Sequence, residues 1–402
     1  IKNGEAINKG EKPLKDLGVV AKDDYTLEIT FEKPCGHFLG LVSFPTYYPQ
    51  REDFVKPLGE TYASGADKLL YNGAFKLTNW IHGASLKMQK NPFYWRASEI
   101  QIDEIDIPYI TPDDSARFNL FKTQKIDYLS LTKENLINAQ REKFKLNRFS
   151  DGTLFYIQMN FRDGRVTKNH NLRKALQMVV NLPEYVSRVI GIPGTEPAYG
   201  LIPSWMMGEK QLFRKEFPVP VTKPNVVEAK KYLALALKEL GLTSPPPLVW
   251  LTGDAPISTK EAEYFQNLYK STLGIDIKID KQIFKQRLAK MTEGDFDIVS
   301  AGWGPDYADP LTFADLFASW NGNNRGLWKN AQYDELIRKA MNTTQAKVRM
   351  QAFADAEKIL LAEIPVILLF ERSTMYTHSA KIEGIGRRAV GFDPDYTNAK
   401  IK

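Results

Sequence analysis

Cysteine occurs once in the 402 residues, at Cys35, and histidine four times, at His37, His82, His170 and His378. One thiol excludes an internal disulfide and a thiolate-held metal cluster. The histidines lack the short spacings that bring several ligands to one metal, so each reads as a surface or structural residue. Long apolar runs are also missing. The greasiest stretch, Ile364 to Phe370, is far below the roughly 18 residues that cross a bilayer and suits a buried strand. The net charge of +6 arises from 54 basic and 48 acidic residues spread along the chain, without a Lys/Arg block. A nucleic-acid surface would concentrate its charge, so no nucleic-acid partner is expected.

Catalytic signatures are equally scarce. No GxSxG, HExxH or P-loop sequence is present, and no constellation argues for an enzyme. Gly384-Ile385-Gly386-Arg387-Arg388-Ala389 fits the dinucleotide pattern GxGxxA, but Val390-Gly391-Phe392-Asp393-Pro394 follows where a helix should open. No cofactor is therefore expected. The first residues, IKNGEAINKGEKP, are polar without an apolar signal core and read like the interior of a domain. The expectation is that the chain does not start at the natural beginning.

What is present is the composition of a globular protein, 43% hydrophobic and 25% charged, in a chain too long for one ordinary core. Tyr25, Leu27, Ile29 and Phe31 alternate with polar residues as in a half-buried strand. Phe75, Leu77, Leu86 and Met88 suggest antiparallel β structure closed by the aromatics Phe93, Tyr94 and Trp95. From Ile102 to Leu131 a strand, a helix begun by Thr111-Pro112-Asp113-Asp114 and a second strand suggest a β-α-β unit with parallel pairing.

Leu154 to Phe161 is a further apolar strand, and helices follow over 172–180, 183–190 and 226–240, with Gly191 and Gly241 as stops. Strands at 248–251, 275–279 and 296–299 then alternate with helices at 259–273 and 284–291, the pattern of a doubly wound α/β domain. Two more helices and the strand 364–370 close it. If the strands near 155 and 367 are both crossings, the α/β block is inserted into another domain and the pair forms a hinge. The division expected is 1–70 as the remainder of a small N-terminal subdomain, 71–160 as part of lobe I, 161–372 as lobe II and 373–402 as a return to lobe I.

Phe296 to Phe313, FDIVSAGWGPDYADPLTF, is the candidate site. An apolar strand breaks at Gly302 and Gly304, and Asp309 before Pro310 marks a helix start. Trp303, Asp306 and Tyr307 stand on the turn between. Asp309 is accounted for as an N-cap. Asp306 lies between aromatics in a distorted loop, where a carboxylate can meet a cationic group; the ordinary alternative is an Asx-turn within its own loop.

GWGPDYADPLTF resembles the GW-x-x-DY-x-x-P-x-x-F signature of extracellular solute-binding proteins family 5, in particular the oligopeptide-binding proteins of bacterial ABC importers. KDLGVVAKDDYTLEITFEKP, YNGAFKLTNW, NPFYW, ARFNLFKTQKIDY and NLRKALQMVVNLPEYV resemble family segments in the same order. The resemblance implies an α/β fold of the periplasmic binding protein type II kind, two lobes closing on an oligopeptide, and delivery to the membrane subunits of an ABC permease. It also implies a periplasmic or membrane-anchored extracytoplasmic protein, acting as a monomer, with a family chain longer at its start.

By the same resemblance Asp306 pairs with a peptide's α-ammonium group, Trp303 and Gly304 line the same wall, and Phe284 contributes to a side-chain pocket. Tyr156 and Ser130 correspond to contacts on the opposing lobe. Family positions that hold cations for the peptide carboxylate are Ser258, Met291 and Ser300 here, and Arg325 in NGNNRGLW is the candidate replacement. Alternatives are a non-peptide ligand such as a nickel chelate, haem or a sugar, a peptidase on this scaffold, or a surface adhesin.

Overall fold

The computed structural model describes residues 1–402. Two strands of 13 residues, Asn147–Met159 and Val366–His378, run antiparallel through its centre. Their apolar halves, near 155 and 367, are the ones legible in the sequence. The other half of Val366–His378 alternates buried and partly exposed positions, and Asn147 to Asp151 alternates half-buried and exposed ones, patterns that an apolar-run reading passes over.

The sheet built on them has the order Ile277–Gln282, Leu248–Gly253, Ile298–Trp303, Asn147–Met159, Val366–His378, Tyr128–Leu131. The first three strands are mutually parallel, as expected of a wound α/β unit, and the join to Asn147–Met159 is antiparallel. Helices cover both faces of this part. One core gathers Tyr185, Trp250, Phe265 and Tyr269; the other gathers Phe313, Phe317, Tyr333 and Phe353. The helices Val226–Leu240 and Pro256–Leu273 end at Gly241 and Gly274.

The parallel unit expected over 102–131 is absent. Its first strand, Glu104–Ile107, pairs antiparallel with Ser85–Lys90 in a separate sheet that also holds Phe75–Ile81. Its second strand, Tyr128–Leu131, pairs antiparallel with the end of Val366–His378. The helix Asp114–Lys122 does form, capped by the Asp113 carboxylate, which accepts from the Ser115 and Ala116 amides, but it links two sheets. Glu104–Ile107 has no buried residue, whereas a parallel strand is covered on both faces.

The central ladder is irregular at two places, between Leu368 and Phe370 and between Glu371 and Ser373. Glu371 pairs with Leu154 and Ser373 with Ser150, so residues 151–153 stand unpaired opposite Arg372. Arg372 spans the gap, its Nε donating to Asp151 Oδ2 at 2.6 Å and its Nη2 to Thr153 Oγ1 at 3.2 Å. Gly152 sits in the gap at φ 75°, with Trp205 2.9 Å and Pro305 3.1 Å from where a Cβ would stand. A side chain there would meet both strain and a clash.

The N-terminal part is thinly packed. The helices Gly4–Asn8 and Glu52–Leu58 bury no residue. The strand expected over 25–31 is reduced to a three-pair hairpin with Val19–Ala21, and Tyr25 is 99% and Leu27 60% exposed. A two-stranded ribbon offers no second layer against which to bury such residues.

Candidate functional site

The strand Ile298–Trp303 continues through Gly302, which the sequence suggested as its break. A Cβ at Gly302 would stand 2.9 Å from the Phe155 ring on the neighbouring strand, so this glycine marks a close approach within the sheet. Beyond Trp303 the loop is held from below. Asp309 accepts from the Leu311 amide at 3.0 Å, as an N-cap should. It also takes both Nη atoms of Arg349, at 2.8 and 2.9 Å, in a buried two-pronged ion pair. The loop is thereby fixed to the helix Ala346–Glu363.

Thr312 fixes the loop from within, its Oγ1 accepting from Trp303 Nε1 at 3.2 Å and from the Asp306 amide at 3.1 Å. These bonds use the backbone of Asp306 and leave its carboxylate without a hydrogen bond or an ion pair. The Asx-turn alternative is therefore not realised. Half-buried and uncompensated, the carboxyl is pushed above its usual range by desolvation alone. Such a group gains a favourable partner when a cation arrives from outside.

Trp303 lies half-buried beside Asp306, and Gly304 presents open backbone, with only Thr153 Oγ1, at 3.5 Å, near the position of a Cβ. On the other side of the loop His37 stacks on Tyr307 with ring centroids 5.4 Å apart. Burial lowers the His37 pKa, the Asp309 charge opposing that shift. Sequence reasoning missed His37, because no spacing links it to a loop far along the chain.

Tyr156 lies on Asn147–Met159 opposite Ala301 and packs edge-on against Phe317 at 5.5 Å. Burial raises its pKa, while the Arg325 and Arg287 charges pull it down. Tyr156, Arg325 and Arg287 thus share one neighbourhood. Phe284 opens the helix Phe284–Glu293, 66% exposed, with the Arg287 guanidinium 5.5 Å from its ring centre. Ser130 stands apart on the exposed side of Tyr128–Leu131, opposite Tyr376, across the interrupted ladder.

Two of the three positions without a cation are built into the interior. Met291 is buried among Leu251, Phe296 and Val299. Ser300 accepts from Trp250 Nε1 at 3.0 Å. Glu261 is buried nearby and accepts from the Tyr185 hydroxyl; burial raises its carboxyl pKa, and Ser300 and Tyr185 oppose that. A cavity of about 320 Å³ between the helices His170–Met178 and Ala346–Glu363 contains none of the predicted residues.

Comparison with known proteins speaks to the family and the fold. The family model for bacterial extracellular solute-binding proteins, family 5 Middle, matches residues 2–325. Dipeptide-binding protein DppE of Bacillus subtilis (strain 168) is 30% identical over 393 residues, covering 98% of this chain and 71% of that protein. Oligopeptide-binding protein OppA of the same strain is 28% identical over 401 residues, covering 96% and 71%. The substrate-binding domain of an oligopeptide ABC transporter from Bacillus anthracis str. Ames superposes with a TM-score of 0.90 at 32% identity, over 100% of this chain and 78% of that one. Listeria monocytogenes OppA bound to peptide gives 0.88 at 31%, with the same coverage. The fold is that of the periplasmic binding proteins of type II, and the chain belongs to the bacterial extracellular solute-binding proteins of family 5.

Proposed function

We propose that this chain is the substrate-binding component of an ABC importer, which captures oligopeptides between two lobes and delivers them to a membrane permease. The observation that carries this reading is the Asp306 carboxylate, half-buried and unpartnered where Ile298–Trp303 ends. A peptide's α-ammonium group satisfies it, while the backbone at Gly304 is open to strand-like pairing with the peptide. Trp303, Phe284, Tyr156 and Arg325 complete the wall, and Ser130 faces the ligand from the other lobe. Closure takes place about the two central strands, whose ladder is interrupted at 151–153 opposite Arg372. In this role the protein works as a monomer outside the cytoplasm, periplasmic or membrane-anchored, binds no nucleic acid and performs no catalysis.

The test is calorimetric titration of short peptides with free or acetylated N-termini, against the unmodified chain and Asp306→Ala. Loss of binding on both acetylation and substitution is expected. Equal affinity in all combinations removes Asp306 as the anchor. Failure of every peptide to bind favours a non-peptide ligand.

A further inference from the structure

The cavity between His170–Met178 and Ala346–Glu363 opens on a strand edge. Its floor is Val366, Ile367 and Leu368 of the central strand Val366–His378. On one edge these residues pair with Gln158, Ile157 and Tyr156. The other edge of the strand is taken by Glu196–Pro197 only at Phe370 and Glu371, and by Tyr128–Leu131 only from Met375 onward. The Leu369 carbonyl accepts from the Ala198 amide at 3.1 Å, and nothing pairs with that edge between there and Pro365. The Met159 amide donates to the Pro365 carbonyl at 3.0 Å. Antiparallel alternation from that bond turns the backbone groups of Ile367 toward Asn147–Met159, and those of Val366 and Leu368 toward the cavity. All three residues are buried. Two backbone donors and two acceptors thus face an apolar cavity without a protein partner, an arrangement that calls for a hydrogen-bonding occupant.

The walls describe that occupant. Val180 and Leu182 belong to the core on one face of the sheet and Ala198 to the core on the other. A chain lying along the edge therefore places alternate side chains against apolar surface on both faces. The free edge is three residues long, roughly 10 Å at about 3.3 Å per residue, which sets the length of the paired segment. Lys174 and Lys358 line the same cavity and no carboxylate does. Lys358 is paired with Asp355 on its own helix at 2.8 Å, whereas Lys174 has no ion pair. We propose that the cavity receives an extended segment of a partner protein, added as a strand to the edge of Val366–Leu368, with apolar side chains in the cavity and an acidic side chain at Lys174. The cavity shares no residue with the Asp306 loop, so the inference stands apart from the peptide-receptor reading.

The experiment titrates the tetrapeptide acetyl-Glu-Val-Val-Val-amide, whose blocked ends stand for a segment within a longer chain. It is added to the unmodified chain, Asp306→Ala, Lys174→Glu and Ala362→Trp, the last of which fills the exposed rim of the cavity. Equal binding to the unmodified chain and Asp306→Ala is expected, with loss of binding in Ala362→Trp and a fall of about fivefold in Lys174→Glu. Exchanging the glutamate of the peptide for lysine should weaken binding to the unmodified chain by a similar factor and restore it in Lys174→Glu. Two further peptides carry one N-methyl group each, on the second or the third valine. Neighbouring amides of a strand point to opposite sides, so one methylation should abolish binding and the other spare it. Equal effects of the two methylations overturn the inference, as does an absence of binding to the unmodified chain. Binding that is lost in Asp306→Ala places the blocked peptide at the Asp306 loop and overturns it too, leaving the peptide-receptor reading to its own test. Thermal melts show whether each variant is folded; should Ala362→Trp unfold, the methylated pair and the charge exchange decide.

Discussion

Residues 1–110 and residues 154–370 carry apolar patterns of similar clarity, yet only the second region buries them. In the first, Ala74 and Ile100 are the buried hydrophobic residues, while Tyr25, Leu27, Leu39, Phe93 and Trp95 face solvent. In the second, Leu154, Trp250, Phe265, Phe313 and Phe353 are sealed on the two faces of one sheet. Period-two alternation determines which face of a strand is apolar. Burial needs a second layer, and alternation alone does not supply it.

Substitutions across the two regions test this contrast. Phe353→Ala removes a fully buried ring and is expected to cost about 3–5 kcal/mol in urea unfolding. Leu27→Ala, with the same loss of apolar character on an exposed ribbon, should stay within about 0.5 kcal/mol. Comparable costs would show that the N-terminal region packs more tightly in solution than its exposure implies. Asp309→Ala belongs with the larger effects, since it leaves Arg349 buried and unpaired, at about 3–5 kcal/mol. Arg349→Met on that background should recover part of the loss, because the unpaired charge goes with it.

The same contrast explains what could be read in advance. Between 226 and 363 the helix periods, the stops at Gly241 and Gly274 and the short apolar strands all agree, and the parallel triplet follows from them. Over 102–131 the elements were legible but their partners were not, since pairing depends on what lies opposite. The candidate loop carrying Trp303, Gly304 and Asp306 is legible as a loop because a glycine- and proline-distorted stretch between aromatics is a local feature. The approach of His37 is not, because it reaches that loop through tertiary packing, by stacking on Tyr307.

Asp306 yields a smaller effect, read through pH. Burial without a partner raises its carboxyl pKa. A group raised in the folded state contributes stability that is full below its unfolded value, about 3.9, and is lost as pH rises through the folded one. A bound ammonium group reverses this preference by favouring the ionised form. Peptide affinity should therefore weaken as pH falls through the raised pKa, and calorimetry from neutral pH into the acid range measures it. Asp306→Asn should bind weakly at every pH without that acid-dependent step; an unchanged step would assign it to another group.

The smallest expected effect joins the two halves of the molecule. Lys260, on Pro256–Leu273, pairs with Glu134, on Lys133–Arg141, and both side chains are largely exposed. The Lys260 hydrogen bond holds the Glu134 carboxyl below its usual range. A depressed carboxyl contributes stability above its unfolded pKa and loses it as pH falls through the folded value. Exposure limits that contribution to under about 1 kcal/mol, and salt screens it. Lys260→Met should therefore barely move the unfolding midpoint. Because the pair spans elements on either side of the interrupted ladder, its removal should instead show in the lobes, as a slight expansion of the ligand-free protein by small-angle scattering at low salt that vanishes at high salt. An expansion independent of salt would mean that the Lys260 stem, by packing, holds the halves together.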